Sequence, residues 1–130
     1  MTNGGRDKVL QFCGEQQPVR FDGQVPLQGE VGKYYRPNSA NFPVIDAYYL
    51  REDCLVALQM TRSTAHDIEG TAEQRAVLDA LLSMAPGNKV AFVYIVPATL
   101  AGSFRLQPKL KAQYSSIGQY VMSMTVSKAV

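Results

Sequence analysis

Residues 42–61 run Phe42-Pro43-Val44-Ile45-Asp46-Ala47-Tyr48-Tyr49-Leu50, then Arg51-Glu52-Asp53, then Cys54-Leu55-Val56-Ala57-Leu58-Gln59-Met60-Thr61. Two apolar runs parted by a short charged turn have the spacing of a β-hairpin from Pro43 to about Thr61. Each run carries a polar intruder, Asp46 between Ile45 and Ala47 and Gln59 between Leu58 and Met60. A charge inside an apolar run costs on the order of several kcal/mol unless it is paired or liganded, so both positions need partners. In a regular second strand Leu55, Ala57, Gln59 and Thr61 share one face, and in the first strand Val44, Asp46 and Tyr48 share one face. Pairing of the strands then brings the Asp46 carboxylate beside the Gln59 amide. The Asp46 carboxylate, the Gln59 side-chain oxygen and the Met60 carbonyl are oxygen donors of the kind a hard divalent cation takes. The alternative is that Asp46 and Gln59 satisfy each other and neighbouring backbone groups inside the sheet.

Downstream, Thr71 with Gln74 forms a capping-box pattern, and Val77, Ala80, Leu81 and Met84 fall on one helical face until Pro86-Gly87-Asn88 stops it. Val90-Ala91-Phe92-Val93-Tyr94-Ile95-Val96 is apolar on both parities and predicts a central strand covered on both faces. Tyr120, Met122, Met124 and Val126 alternate with Gln119, Ser123 and Thr125, as in a strand with one wet face. A hairpin, a helix, a buried strand, a basic connector and a C-terminal strand make an α/β sandwich around a small mixed sheet. Residues 1–33, rich in Gly, Gln and Pro, read as an N-terminal segment, partly flexible, ahead of a domain spanning residues 34–130.

The chain has 130 residues, 46% hydrophobic and 18% charged, with a net charge of +2, enough for one core and too little charge to prove a nucleic-acid partner. Cys13 and Cys54 make neither a disulfide framework nor a zinc set. No run reaches the ~20 apolar residues of a membrane span, and the N-terminus lacks the apolar core of a secretion signal. Gly29-Glu30-Val31-Gly32-Lys33 ends in Gly-Lys with the wrong spacing and no Ser or Thr after it, so it reads as a loop and no ATP site is expected.

The layout of Asp46 on one strand and Gln59-Met60-Thr61 on the next resembles the PD-(D/E)xK nucleases, in which an Asp and a following Glu-x-Lys or Gln-x-Lys bind a divalent metal and activate water. Thr61 stands where that pattern has Lys, and a hydroxyl cannot supply the positive charge. The wider pattern resembles the C-terminal domain of crinkler effectors and is similar to trypanosome retrotransposon hot spot proteins. It consists of Tyr34-Tyr35-Arg36-Pro37, Asn41 to Ala47, Leu55 to Thr61, His66, Phe92 to Pro97 and Gly118 to Met122, in order. In those sequences the second strand looks like Gln-x-Thr more often than Gln-x-Lys.

The resemblance implies a restriction-endonuclease-like fold and an effector domain acting on nucleic acid. Its expected localisation is that of a secreted effector working in a host nucleus. Two activities stay open: Mg²⁺-dependent phosphodiester cleavage, and a catalytically silent module that binds DNA, RNA or a host protein. The catalytic candidates are Asp46, Gln59, Thr61 and His66, and the metal candidates Asp46, Gln59 and Met60. His66, the single histidine, suits a general base, a ligand or a loop-ordering hydrogen bond. Arg36, Arg62, Arg105, Lys109 and Lys111 are the candidate phosphate contacts, and Tyr48 and Tyr49 could stack on bases. A small scaffold whose polar strand residues are structural is the third reading.

Overall fold

The structure, a computed structural model, describes residues 2–3, 6–7, 17–61 and 70–124. Six strands form one mixed sheet in the spatial order β3 (Val19–Phe21), β4 (Tyr34–Pro37), β5 (Ala47–Leu50), β6 (Leu55–Met60), β7 (Val90–Pro97), β8 (Gly118–Met124). The strands β1 (Thr2–Asn3) and β2 (Arg6–Asp7) pair antiparallel in a separate two-stranded piece. Within the main sheet β4, β5 and β6 form an antiparallel meander, whereas β3 joins β4, β7 joins β6 and β8 joins β7 in parallel. The expected hairpin is β5 and β6, in register from Ala47↔Leu58 to Leu50↔Leu55. Its turn closes through Arg51 N–H donating to the Cys54 carbonyl at 2.9 Å, with Arg51 and Asp53 paired across it at 3.4 Å.

A parallel partner for β6 needs a crossover, and α1 (Ala72–Met84) supplies it. The capping box forms as the sequence predicts: the Thr71 hydroxyl accepts the Gln74 N–H at 3.2 Å, and the Gln74 side chain accepts the Thr71 N–H at 3.2 Å. The helix buries Val77, Leu78 and Leu81 in one apolar cluster with Leu55, Ala57, Phe92 and Tyr94 of the sheet. A 3₁₀ turn at Pro86–Asn88 ends it, with Gly87 and Asn88 both at positive φ. The connector read from sequence as basic contains two short helices, α2 (Ala98–Ala101) and α3 (Pro108–Gln113).

The three α-helices of the described residues all contribute to that same cluster, α2 through Ala101 and α3 through Leu110. The helical layer therefore lies on one face of the sheet. The opposite face carries a separate cluster of strand residues, Ala47, Tyr49, Val56, Leu58 and Val93. Tyr48 and Tyr49 are buried, one in each cluster, so neither is available to stack on bases.

The sheet begins upstream of residue 34, because Val19–Phe21 pairs with Tyr35–Pro37. Phe21 anchors this edge by packing edge-on against Phe42 (ring centroids 5.4 Å apart). The loop at Gly29–Lys33 is a turn, as expected: Lys33 N–H closes on the Glu30 carbonyl at 3.2 Å and Gly32 takes φ 87°, the position a type II turn reserves for glycine.

Two substitutions test this packing by chemical denaturation. Thr71→Ala should lower stability by about 1 kcal/mol through loss of the cap. Leu81→Ala, at a fully buried position, should cost about 2–5 kcal/mol.

Candidate functional site

The first strand of the hairpin starts at Ala47 rather than Pro43, because the chain kinks at Val44. Ile45 N–H donates to the Pro43 carbonyl at 2.8 Å, and Val44 between them has φ 73°. This is the geometry of a γ-turn, and a β-branched residue at positive φ is strained. Asp46 then donates its N–H to the Leu58 carbonyl at 2.8 Å, although Leu58 has Ala47 as its register partner. Two residues thus face one, as in a β-bulge, and the alternation that sequence reasoning extended back to Val44 fails at this point.

The bulge decides where the intruders go. Asp46 remains exposed, and its Oδ2 accepts the Met60 N–H at 2.6 Å. The carboxylate takes the place of a main-chain carbonyl at the end of the ladder, in a charge-assisted bond. Gln59, in contrast, is 5% exposed, and its register partner on β7 is the buried Tyr94 of the helix-side cluster. Gln59 Oε1 and the Tyr48 hydroxyl are buried without a hydrogen-bond partner among the described residues. Burial pushes the Tyr48 phenol far above the usual range, so it stays protonated as a donor. Thr61 is buried, with its N–H donating to the Ile95 carbonyl at 3.0 Å, while Met60 exposes its side chain. The pairing of Asp46 with Gln59 expected from strand parity is not what forms: Asp46 bonds to backbone and Gln59 faces inward. His66 and Arg62 lie outside the described residues.

A second polar group, missed in the sequence, lies on the helix side of β7 and β8. Gln119 alternates with apolar residues and reads as a wet-face position, yet its register partner is the buried Phe92. Its Oε1 accepts the Tyr94 hydroxyl at 2.9 Å and the Gln107 N–H at 2.8 Å, and its Nε2 donates to the Gln107 carbonyl at 3.1 Å. One amide thereby ties β7, β8 and the segment leading into α3 together. The alternation Gln119, Ser123, Thr125 concealed this, since an amide that bonds across to an aromatic hydroxyl has the same sequence signature as one in water.

The candidate cations divide between two regions. Arg36 on β4 is exposed, and its register partner on β3 is the exposed Arg20, which sequence reasoning missed. Like charges side by side on adjacent strands are unfavourable, and no described acidic group pairs with either. Arg105 and Lys111 are exposed in the connector and α3, and β5 and β6 stand between β4 and β7 in the sheet. The Lys109 side chain lies outside the described residues.

Acidic and soft metal donors are sparse within the described residues. No three His, Cys, Asp or Glu side chains group there, Asp46 is the single carboxylate among the three candidate ligands, and one of its oxygens is engaged by Met60 N–H. Comparisons of the chain with protein-family models, curated proteins and solved structures return no match.

The polar atoms of the sheet generate a paired prediction. Tyr48→Phe removes a buried hydroxyl that has no partner among the described residues and should leave stability unchanged or raise it by about 1 kcal/mol, whereas Tyr94→Phe breaks the bond to Gln119 and should cost about 1 kcal/mol or more. Thermal unfolding of the two variants beside the parent chain measures the contrast.

Proposed function

We propose that this chain is a crinkler-like effector domain, restriction-endonuclease-like in fold, that binds nucleic acid without cutting it and acts in a host nucleus. The observation that carries the absence of cutting is the engagement of Asp46 with the Met60 amide while Gln59 and Thr61 are buried. A hydrolytic site needs a cation or base that activates water beside the phosphate and positive charge that stabilises the transition state. Thr61 offers only a hydroxyl, and its side chain is withdrawn from solvent.

Support for the fold comes from the α/β mixed sheet, with Asp46 leading into one strand of the hairpin and Gln59-Met60-Thr61 closing the other. Support for nucleic acid comes from the Arg20–Arg36 pair. Two guanidinium groups on adjacent strands, with no ion-pair partner among the described residues, suit a phosphate, which each can contact through paired N–H donors. One observation favours the cutting alternative. Gln59 Oε1, an acceptor without a partner among the described residues, is the oxygen that would have to turn toward Asp46 and the Met60 carbonyl to hold a Mg²⁺ ion.

Incubation of labelled double-stranded DNA, single-stranded DNA and RNA with the chain in Mg²⁺ or Mn²⁺, beside Asp46→Ala, should give no cutting. Metal-dependent cutting that disappears with Asp46→Ala would establish the nuclease instead. Fluorescence anisotropy on the same substrates should show binding that weakens with salt. Replacement of both Arg20 and Arg36 by Ala should flatten the salt slope by about 1–2. Absence of binding to all three substrates would remove nucleic acid as the partner.

A further inference from the structure

Beside the β3 edge, on the helix side of the sheet, lies an open groove of about 550 Å³, within the size range of ligand sites. Phe21, Phe42, Val77 and Ala80 supply its apolar walls, and among the described residues its two charged lining residues, Asp22 and Glu73, are both acidic. Acidic side chains as the charged part of the described lining, on a chain of net charge +2, disfavour phosphate and select positive charge. Asp22 is held in place, its Oδ1 accepting the Asn38 amide at 2.8 Å. Glu73 sits in the first turn of α1.

We infer that this groove binds an extended peptide segment of a partner protein, an apolar side chain flanked by Lys or Arg. The apolar side chain enters between Phe21, Phe42 and Val77, and the flanking cations face Asp22 and Glu73. The sheet itself points to a peptide. β3 is a terminal strand with β4 on one side and no described strand on the other, and the residues that follow it, Asp22 to Val25, line the groove. The open main-chain groups of an edge strand are the donors and acceptors that an added strand uses. Asp46 is not among the described residues that line the groove, and the inference does not depend on the reading proposed above.

Selection of displayed random dodecapeptides on the full chain, followed by anisotropy with the synthesised binders, tests the inference. Enriched peptides should carry an apolar residue next to Lys or Arg. Their affinity should fall on the order of tenfold with Asp22→Asn combined with Glu73→Gln, a loss equal to about 1.4 kcal/mol. Ala76→Phe, which adds bulk at an exposed lining position, should weaken them comparably while circular dichroism stays that of the parent. The proposal fails if no peptide is enriched over an unrelated protein, if the binders lack cations, or if neither set of substitutions changes their affinity. Displacement of the peptides by double-stranded DNA from the chain carrying Arg20→Ala with Arg36→Ala, which lacks the phosphate contacts proposed above, would place the groove in a nucleic-acid interface. Loss of peptide binding on concentration-dependent dimerisation would assign it to a second copy of the chain. Either result overturns the proposal.

Discussion

The parallel pairing of β6 with β7 is the constraint on which the rest of the structure depends. A strand that leaves the hairpin at Met60 and must be followed by one running the same way, from Val90, cannot be reached by a tight turn. The intervening chain has to return along the sheet, and the capped, one-sided helix α1 makes that return while burying Leu78 and Leu81. Once α1 is seated, Phe92 and Tyr94 are enclosed, and β8 can add in parallel only through another crossover. The two short helices of the connector serve that second return. The helical side of the sheet is thus a product of strand direction as much as of apolar patterning.

The consequences for the Asp46 region are local. β5 has to meet β6 in antiparallel register while the chain arrives from Pro43, a residue that fixes its own φ and offers no N–H. The mismatch is absorbed by positive φ at Val44 and the extra residue at Asp46. The carboxylate is then placed where an acceptor is missing from the ladder, and Met60 N–H takes it. A single backbone irregularity therefore separates two polar side chains that an ideal hairpin would have brought together.

This irregularity also marks the limit of what the sequence disclosed. The hairpin, the capped helix and the central strand were legible because each has a strong periodic signal: the charged turn at 51–53, Thr71 with Gln74, and the unbroken apolar run from Val90. The β3 edge was not, since three residues, Val19 to Phe21, are too few for a period and only pairing with β4 makes them a strand. The Asp46–Gln59 pairing failed because parity assumes that every residue of a run is in the strand. Arg20 acquires its interest solely from register with Arg36, and the groove from the distant Phe21, Phe42 and Val77, so no local pattern could have revealed either.

The Gln119 contacts carry a further implication for how the chain finds its structure. β8 is a strand of mixed character at the end of the sheet, with partly buried residues on both faces, and such strands hold their register weakly when apolar burial alone guides them. The amide discriminates where greasy side chains do not. In the native alignment it meets a phenol and a peptide group at once, while a slip by one residue turns it to the other face and leaves both of them dry and unmatched. Gln119 acts in this sense as an alignment key: a residue whose value lies less in the strength of its bonds than in the number of wrong pairings it makes untenable.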